Sequence, residues 1–233
     1  MKKYLNGKAS PIVLLVDAYE LSLSRTRDLL ISSYPDSKII TAQSIEDILD
    51  NKIPKLKIDL IVMDILLPNS PGEIPQTSTG INFLAHLLDN YPKLNIVIHS
   101  EQIRSLVRMK QKIYSHIGGF TVADKSLASE EILTRVNWAL EQLTYITDIK
   151  NIKVIDSEVE LKPEWLKLVN LAFREGFKDK VIAKHMCVSE RMVRHYWDRV
   201  QEALNIDCEE LKNQGKNLRV ITQIRAREAG LID

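Results

Sequence analysis

Apolar residues follow two different rhythms along this 233-residue chain. In the first 145 residues, short runs rich in Ile and Val occur at Ile12–Val16, Lys38–Thr41, Leu60–Met63, Ile96–Ile98 and Phe120–Ala123, each bounded by polar residues, proline or glycine. Runs of this kind are the pattern of strands covered on both faces. Between them, residues 20–33, 44–51, 80–90, 103–115 and 127–143 carry apolar positions three and four apart, which predicts helices. The alternation predicts an α/β domain with a doubly wound, five-stranded parallel sheet. Such a sheet binds ligands beyond the carboxyl ends of its strands.

Beyond about residue 160 the rhythm is helical throughout. Pro163 suits a first helical turn, Trp165, Leu168, Val169, Ala172 and Phe173 repeat at helical spacing, and Gly176 ends the helix. A shorter helix over 179–186 is expected to turn Val181, Ile182 and Met186 inward. Ser189 then reads as the N-cap of a third helix whose buried stripe is Val193, Trp197, Val200 and Leu204. A short helix, a tight turn and a longer helix make a helix-turn-helix. The expected organisation is a tail over 1–10, the α/β domain over 11–145, a polar linker over 146–159 and a small all-α domain over 160–233.

Composition narrows the partners. A chain with 45% hydrophobic and 27% charged residues is globular, and its net charge of +1 identifies no partner, so any nucleic-acid surface must come from local clustering. Cys187 and Cys208 have no metal-ligand spacing, which points to a reduced protein without structural zinc. Lys2, Lys3 and Lys8 precede no long apolar stretch, so neither a secretory leader nor a membrane span is expected, and the cytoplasm is the default location.

The strand ends carry the candidate chemistry. Asp17 closes the first strand, Asp64 the third, Ser100 the fourth and Lys125 the fifth. Two carboxylates can hold a divalent cation, one of them can attack a phosphoryl donor, and a hydroxyl and an ammonium can bind the transferred oxygens. In this order and spacing, "LLVDAYE", "IDLIVMDILLP", "IVIHSE" and "GGFTVADKS" resemble the four signature strands of response-regulator receiver domains. The resemblance implies that Asp64 is the phosphoacceptor, Asp17 an acid of the magnesium pocket, Ser100 the switch hydroxyl and Lys125 the phosphate-binding lysine. Three departures bear on that reading. Ala18 stands where the family has its second acid and weakens a Mg2+ site, Val122 replaces the switch aromatic, and "NSPGEIPQTST" lengthens the loop after Pro68. That loop is expected to be exposed, as a lid or partner-binding segment, and Glu73 or Glu101 are candidate replacement acids.

Basic residues define the second candidate site. With Val193 and Trp197 inward, Arg191, Arg194, His195 and Arg199 are left for the outer face, and Lys178, Lys180 and Lys184 add charge before the turn. Arginine there can donate two hydrogen bonds to guanine in the major groove, while lysines meet phosphates. The segment "DKVIAKHMCVSERMVRHYW" resembles the LuxR/NarL-type helix-turn-helix. By that resemblance Ser189, Arg191, Arg194 and His195 face DNA, Lys180 contacts phosphate, and Cys187 is a core packing residue. The C-terminal "GKNLRVITQIRAREAGLID" resembles the closing segment of the same group, with Val220, Ile221, Ile224 and Ala229 as its apolar face and Arg219, Arg225 and Arg227 open to packing, dimerisation or DNA. The whole resembles a two-domain response regulator with an atypical receiver, of a cyanobacterial type. It implies double-stranded DNA, a histidine kinase and a second copy of the chain as partners.

Other classes have weaker support. A phosphohydrolase built on Asp17, Asp64, Ser100 and Lys125 has no P-loop, GxGxxG or HExxH beside it, so the chain is read as a non-enzyme. An RNA-binding output is disfavoured because a helix cannot readily read the deep major groove of RNA. The alternative that stays open is a pseudo-receiver controlled by a protein partner or small ligand.

Overall fold

The computed structural model describes residues 10–49, 57–146 and 162–232. The expected tail apart from Ser10, the linker apart from Ile146, and the end of the second predicted helix at residues 50–51 lie outside the described residues. The chain divides into two compact units, Met1–Ile103 with Met109–Ile149 and Arg104–Arg108 with Lys150–Asp233.

In the first unit β1 (Ile12–Val16), β2 (Lys38–Ala42), β3 (Leu60–Met63), β4 (Asn95–His99), β5 (Phe120–Ala123) and β6 (Thr144–Tyr145) form one sheet in the order β2-β1-β3-β4-β5-β6. Every pairing is parallel. Val13, Leu15, Leu60, Val62, Val97 and Ala123 pack against Leu23 and Leu30 of α1 (Glu20–Ser33) and Ile132, Val136 and Ala139 of α5 (Ser129–Leu140). The alternate positions Leu14, Ile61, Met63, Ile96, Ile98 and Val122 are also buried, so the strands read as unbroken apolar runs rather than as alternation.

The sixth strand is a difference from the expected five. Thr144 and Tyr145 add to β5 opposite Phe120 and Thr121, a pairing too short to leave an apolar run. The strand is held from one side by Arg135, whose guanidinium carbon lies 3.9 Å from the Tyr145 ring centre. The preceding helix ends at Leu140, before the expected Leu143, because Gln142 takes a left-handed turn at φ 60°.

Three further elements complete this unit: α2 (Ile45–Leu49), α3 (Thr77–Asn90) and α4 (Lys110–Tyr114). Where one helix was expected over 103–115, a 3₁₀ segment at Ile103–Met109, most of which belongs to the second unit, precedes α4. The apolar spacing accounts for this, since buried Leu106 and Met109 are three apart, suiting three residues per turn, and Met109 and Ile113 are four apart. The start of α3 at Thr77 absorbs Thr77, Ser78 and Thr79, shortening the expected long loop. Gly80 sits in that first turn because a Cβ there would lie 1.9 Å from the Ile65 carbonyl oxygen. The remaining loop is pinned at its base by a bridge between Leu67 and Gln76.

The second unit contains α6 (Pro163–Phe173), α7 (Asp179–Met186), α8 (Glu190–Ala203), α9 (Cys208–Asn213) and α10 (Leu218–Glu228). Leu168, Val169, Ile182, Val193 and Val200 are almost fully buried in its core. Trp197 joins them and donates from its indole N–H to Asp179 at 3.1 Å. The Arg219 guanidinium donates to the same carboxylate at 2.6 Å and stacks 3.8 Å above the Trp197 ring, so this arginine serves packing.

Three packing expectations are corrected here. Val181 is 38% exposed, because Ile182 and Ala183 are the residues of α7 that meet the core. On α10, Val220 and Ile224 are about half exposed while Thr222, Ala226 and the following Ala229 are buried. Thr222 is drawn inward by Gln201, which donates to its hydroxyl at 3.3 Å, and small side chains fill the remaining contact. Cys187 is exposed rather than packed: it occupies the left-handed C-cap of α7 at φ 55°, where its backbone N–H donates to the Lys184 carbonyl at 3.2 Å and its thiol reaches the same oxygen at 3.8 Å.

Candidate functional site

The sheet ladder continues past the strand ends and fixes the residues that follow them. Asp17 N–H donates to the Ala42 carbonyl at 3.2 Å, Asp64 N–H to Val16 at 2.9 Å and Ser100 N–H to Ala123 at 3.2 Å. Strand parity then sends the side chains of Asp17 and Asp64 to the α1/α5 side of the sheet, after Leu15 and Val62.

Asp17, Asp64, Ser100 and Lys125 come together in one closed network. Lys125 Nζ donates to Asp17 Oδ2 at 2.7 Å and to Asp64 Oδ2 at 2.5 Å. Asp64 Oδ1 accepts from Ser100 Oγ at 2.5 Å, Ile65 N–H at 2.6 Å and Leu66 N–H at 3.1 Å. Asp17 accepts from the Tyr19 N–H at 2.9 Å and from Ser22 Oγ at 2.6 Å. Both carboxylate side chains are only 4% exposed and the Lys125 side chain 16%, so the ion pairs are shielded from solvent. Burial pulls the Lys125 pKa down, but its hydrogen bonds and charge attraction to Asp17 and Asp64 outweigh burial and shift it upward. Lys125 therefore stays an ammonium at neutral pH.

Two residues complete this site that motif reading did not single out. Ser22, in the first turn of α1, secures Asp17, and no sequence signal marks a helix serine for that task. His99 follows Val97 onto the same face of β4 and is 7% exposed. Its signal is visible only as a polar break in the run "IVIH". Burial first, and then the Lys125 ammonium, pushes its pKa from 6.5 down to about 4, against the pull of Asp17, Asp64 and Asp124. The imidazole is neutral at neutral pH, and Nε2 is buried without a hydrogen-bond partner among the described residues.

The donor set does not fit a resident magnesium ion. Two carboxylates converge, both already share one ammonium, and Ala18 supplies no third acid. Among the described residues no three His, Cys, Asp or Glu side chains are grouped as a metal site. Neither candidate replacement repairs this. Glu73 accepts from the Ser70 N–H of its own turn at 3.4 Å, and Glu101 lies exposed on the loop after β4. A small divalent cation held by so few protein oxygens relies on water for most of its shell.

In the second unit the sequence-derived residues are each exposed. Ser189 caps α8 by accepting from the Met192 N–H at 3.2 Å. With Val193, Trp197 and Val200 buried, Arg191, Arg194, His195 and Arg199 are exposed, as is Lys180 on α7. Arg191 and Arg194 make no ion pair among the described residues. Arg199 differs, since it binds Glu202 one turn on at 2.7 Å. A shallow cleft of about 410 Å³ beside this face is lined by Lys162, Glu164, Trp165, His195, Tyr196 and Arg199. Unpaired guanidinium groups at the capped start of an exposed helix are suited to phosphates and to guanine edges.

No protein-family model matches the chain, and no curated protein matches it. Solved structures do share its fold. One shows two RcsB dimers bound to two parallel DNAs; it is 16% identical, covers 92% of this chain and 98% of that one, and has a TM-score of 0.56. Another is RcsB from Salmonella enterica serovar Typhimurium bound to promoter rprA with the phosphomimetic BeF3-, at 15% identity, 94% and 98% coverage and a TM-score of 0.57. A complex of the two-component response regulator RcsB with DNA gives 14% identity, 94% and 98% coverage and a TM-score of 0.55. At these identities the likeness is one of fold: a doubly wound parallel sheet followed by a small all-α helix-turn-helix unit. Among the described residues no helix is long and apolar enough to cross a membrane.

Proposed function

We propose that the chain is a sequence-specific DNA-binding transcriptional regulator of the two-component type, with a receiver-like input domain and a LuxR/NarL-type output domain. The observation that carries this reading is the outer face of α8, where Arg191, Arg194 and His195 are exposed opposite the buried Val193 and Trp197. In this reading Ser189, Arg191, Arg194 and His195 face bases, while Lys180 and Arg199 contact phosphate. The active form is a homodimer on paired half-sites, and the chain works in the cytoplasm. The folds of the DNA-bound RcsB structures support the same assignment. Selection of duplexes from a random pool at fixed salt tests it: enrichment of a paired half-site sequence is expected, and a pool unchanged after several rounds would refute sequence-specific binding.

For the input, Asp64 is the proposed phosphoacceptor, fed by a histidine kinase, with Ser100 and Lys125 binding the oxygens of the transferred group. A phosphate-affinity gel after acetyl phosphate and Mg2+ tests this, with a retarded band expected in wild type and absent in Asp64→Asn. A second reading, a pseudo-receiver whose input is not phosphorylation, is favoured by one observation. Lys125 already bridges Asp17 and Asp64 with its one ammonium, and Ala18 leaves no third acid to gather a magnesium ion beside them. Absence of the band, under conditions that label a standard receiver, decides for this second reading.

A further inference from the structure

A cleft of about 740 Å³ opens from the strand ends of the first unit, and much of it is not used by the Asp17–Asp64–Lys125 network. Leu29 of α1, Ile132 of α5 and Leu66 after β3 give it apolar lining, with Ser129 from the first turn of α5. His99 also lines it. The volume lies in the range of small-molecule sites, which are typically apolar with a few fixed polar groups.

His99 and Arg25 are polar groups of this lining that remain unspent. The first is His99, more than nine-tenths buried, whose Nε2 finds no partner among the described residues. Its strand neighbours Ile96, Val97 and Ile98 are apolar and fully buried and offer the Nε2 atom no hydrogen bond. A buried polar atom without a partner marks a place where a water or a ligand completes the structure. As a neutral imidazole it offers either an N–H or a lone pair, according to its tautomer. The second is Arg25, exposed on α1 one turn before Leu29 and free of any ion pair among the described residues. Lys125, by contrast, is fully engaged by its two carboxylates. Glu101 is the one other unpaired charge in the lining, and it belongs to the loop after β4 rather than to the apolar wall.

We propose that this cleft binds an amphipathic organic anion, its apolar body between Leu29 and Ile132, its anionic group on Arg25 and a hydrogen-bonding group on His99. This deepens the phosphorylation-independent reading, on which it rests for its role as the input signal. The ligand would occupy the mouth of the carboxylate network without displacing Lys125.

The fluorescent probe 1-anilinonaphthalene-8-sulfonate has the required chemistry and tests the site on the full-length protein. Wild type is expected to bind it saturably. Arg25→Gln weakens binding at least fivefold, Ser129→Trp, which fills the cleft from its rim, abolishes it, and Glu101→Gln leaves it equal or tighter. Each variant should keep the wild-type circular dichroism and a cooperative melt, as expected for substitutions outside the core. The ¹⁵N resonances of the His99 ring shift on addition of the probe. Binding that survives both Arg25→Gln and Ser129→Trp, absence of saturable binding, or an unmoved His99 ring with only water beside it overturns the proposal. A larger loss with Glu101→Gln than with Arg25→Gln overturns the anionic class. Acetyl phosphate labelling of the same samples separates the two ideas. An Asp64-dependent label alongside intact probe binding removes the phosphorylation-independent reading and leaves the cleft, whereas neither label nor binding does the reverse.

Discussion

Lys125 gives its ammonium to two buried carboxylates, whereas Arg191 and Arg194 on α8 turn their guanidinium groups to solvent. Both regions are made of charged residues at the starts and ends of regular elements, yet one is closed on itself and the other is open. The closed region has engaged its charged groups in internal hydrogen bonds, so any ligand or phosphoryl group must compete with bonds already made. The open region has satisfied almost nothing, so its charges remain available for a polyanion. A charge cluster is thus informative about binding only after its internal partners have been counted.

Removing a partner from the closed site should have the largest effect. Lys125→Ala leaves Asp17 and Asp64 buried side by side, and breaking such a pair costs roughly 3 to 5 kcal/mol. Urea unfolding of the first unit would register this, and a change below about 1 kcal/mol would mean that the network is wet and open like the surface of α8.

The next effect concerns pH. His99 is neutral in both states above pH 6.5 and contributes nothing there. Between 6.5 and about 4 the unfolded chain takes up a proton that the folded chain refuses, so stability falls as pH falls and levels off below that window. At 1.36 kcal/mol per pKa unit the full loss is on the order of 3 kcal/mol. His99→Phe should flatten this part of the stability curve, measured as urea midpoints at pH 4.5 and 7. An unchanged slope would assign the acid sensitivity to other groups.

On the open side the effects are smaller and appear in binding. Arg194→Ala should weaken the selected duplex by about 1 to 3 kcal/mol if it reads a base. An equal loss on unrelated DNA would make it a phosphate contact. Arg199→Ala should be the mildest, about 0.2 to 1 kcal/mol in stability, because its exposed pair with Glu202 is solvent-screened. A loss on DNA as large as that of Arg194→Ala would show that the Glu202 pair opens on binding.

Asp17 and Asp64 were legible because each is the first polar position after an apolar run, Ser100 and Lys125 because each is the second, and parallel strands bring such positions to one end of the sheet. Ser189 and the basic face of α8 were legible for a similar reason, since a cap and a buried stripe together fix which residues point outward. Legibility failed where packing is made by small or polar side chains. Thr222 and Ala226 bury the face of α10 that a hydrophobicity pattern assigns to Val220 and Ile224. Cys187 was expected in the core only by the family resemblance, and its left-handed backbone at the end of α7 leaves it exposed. Ser22 and His99 were missed as site members because their partners lie in other elements, at separations a motif does not encode.

The two-residue strand β6 has a consequence for self-association. A sheet border with free backbone donors and acceptors is a template onto which another chain can add. β6 occupies the β5 border yet is itself too short to recruit a partner strand, and the rings of Tyr145 and Trp138, clasped by Arg135, thicken that side. Among the described residues the border left with a full-length strand is β2, which begins with the exposed charge of Lys38. Crowded or misfolded copies of this protein would therefore be expected to adhere through β2, and a negative charge or a proline there, rather than any change near β6, is the substitution that would keep them apart.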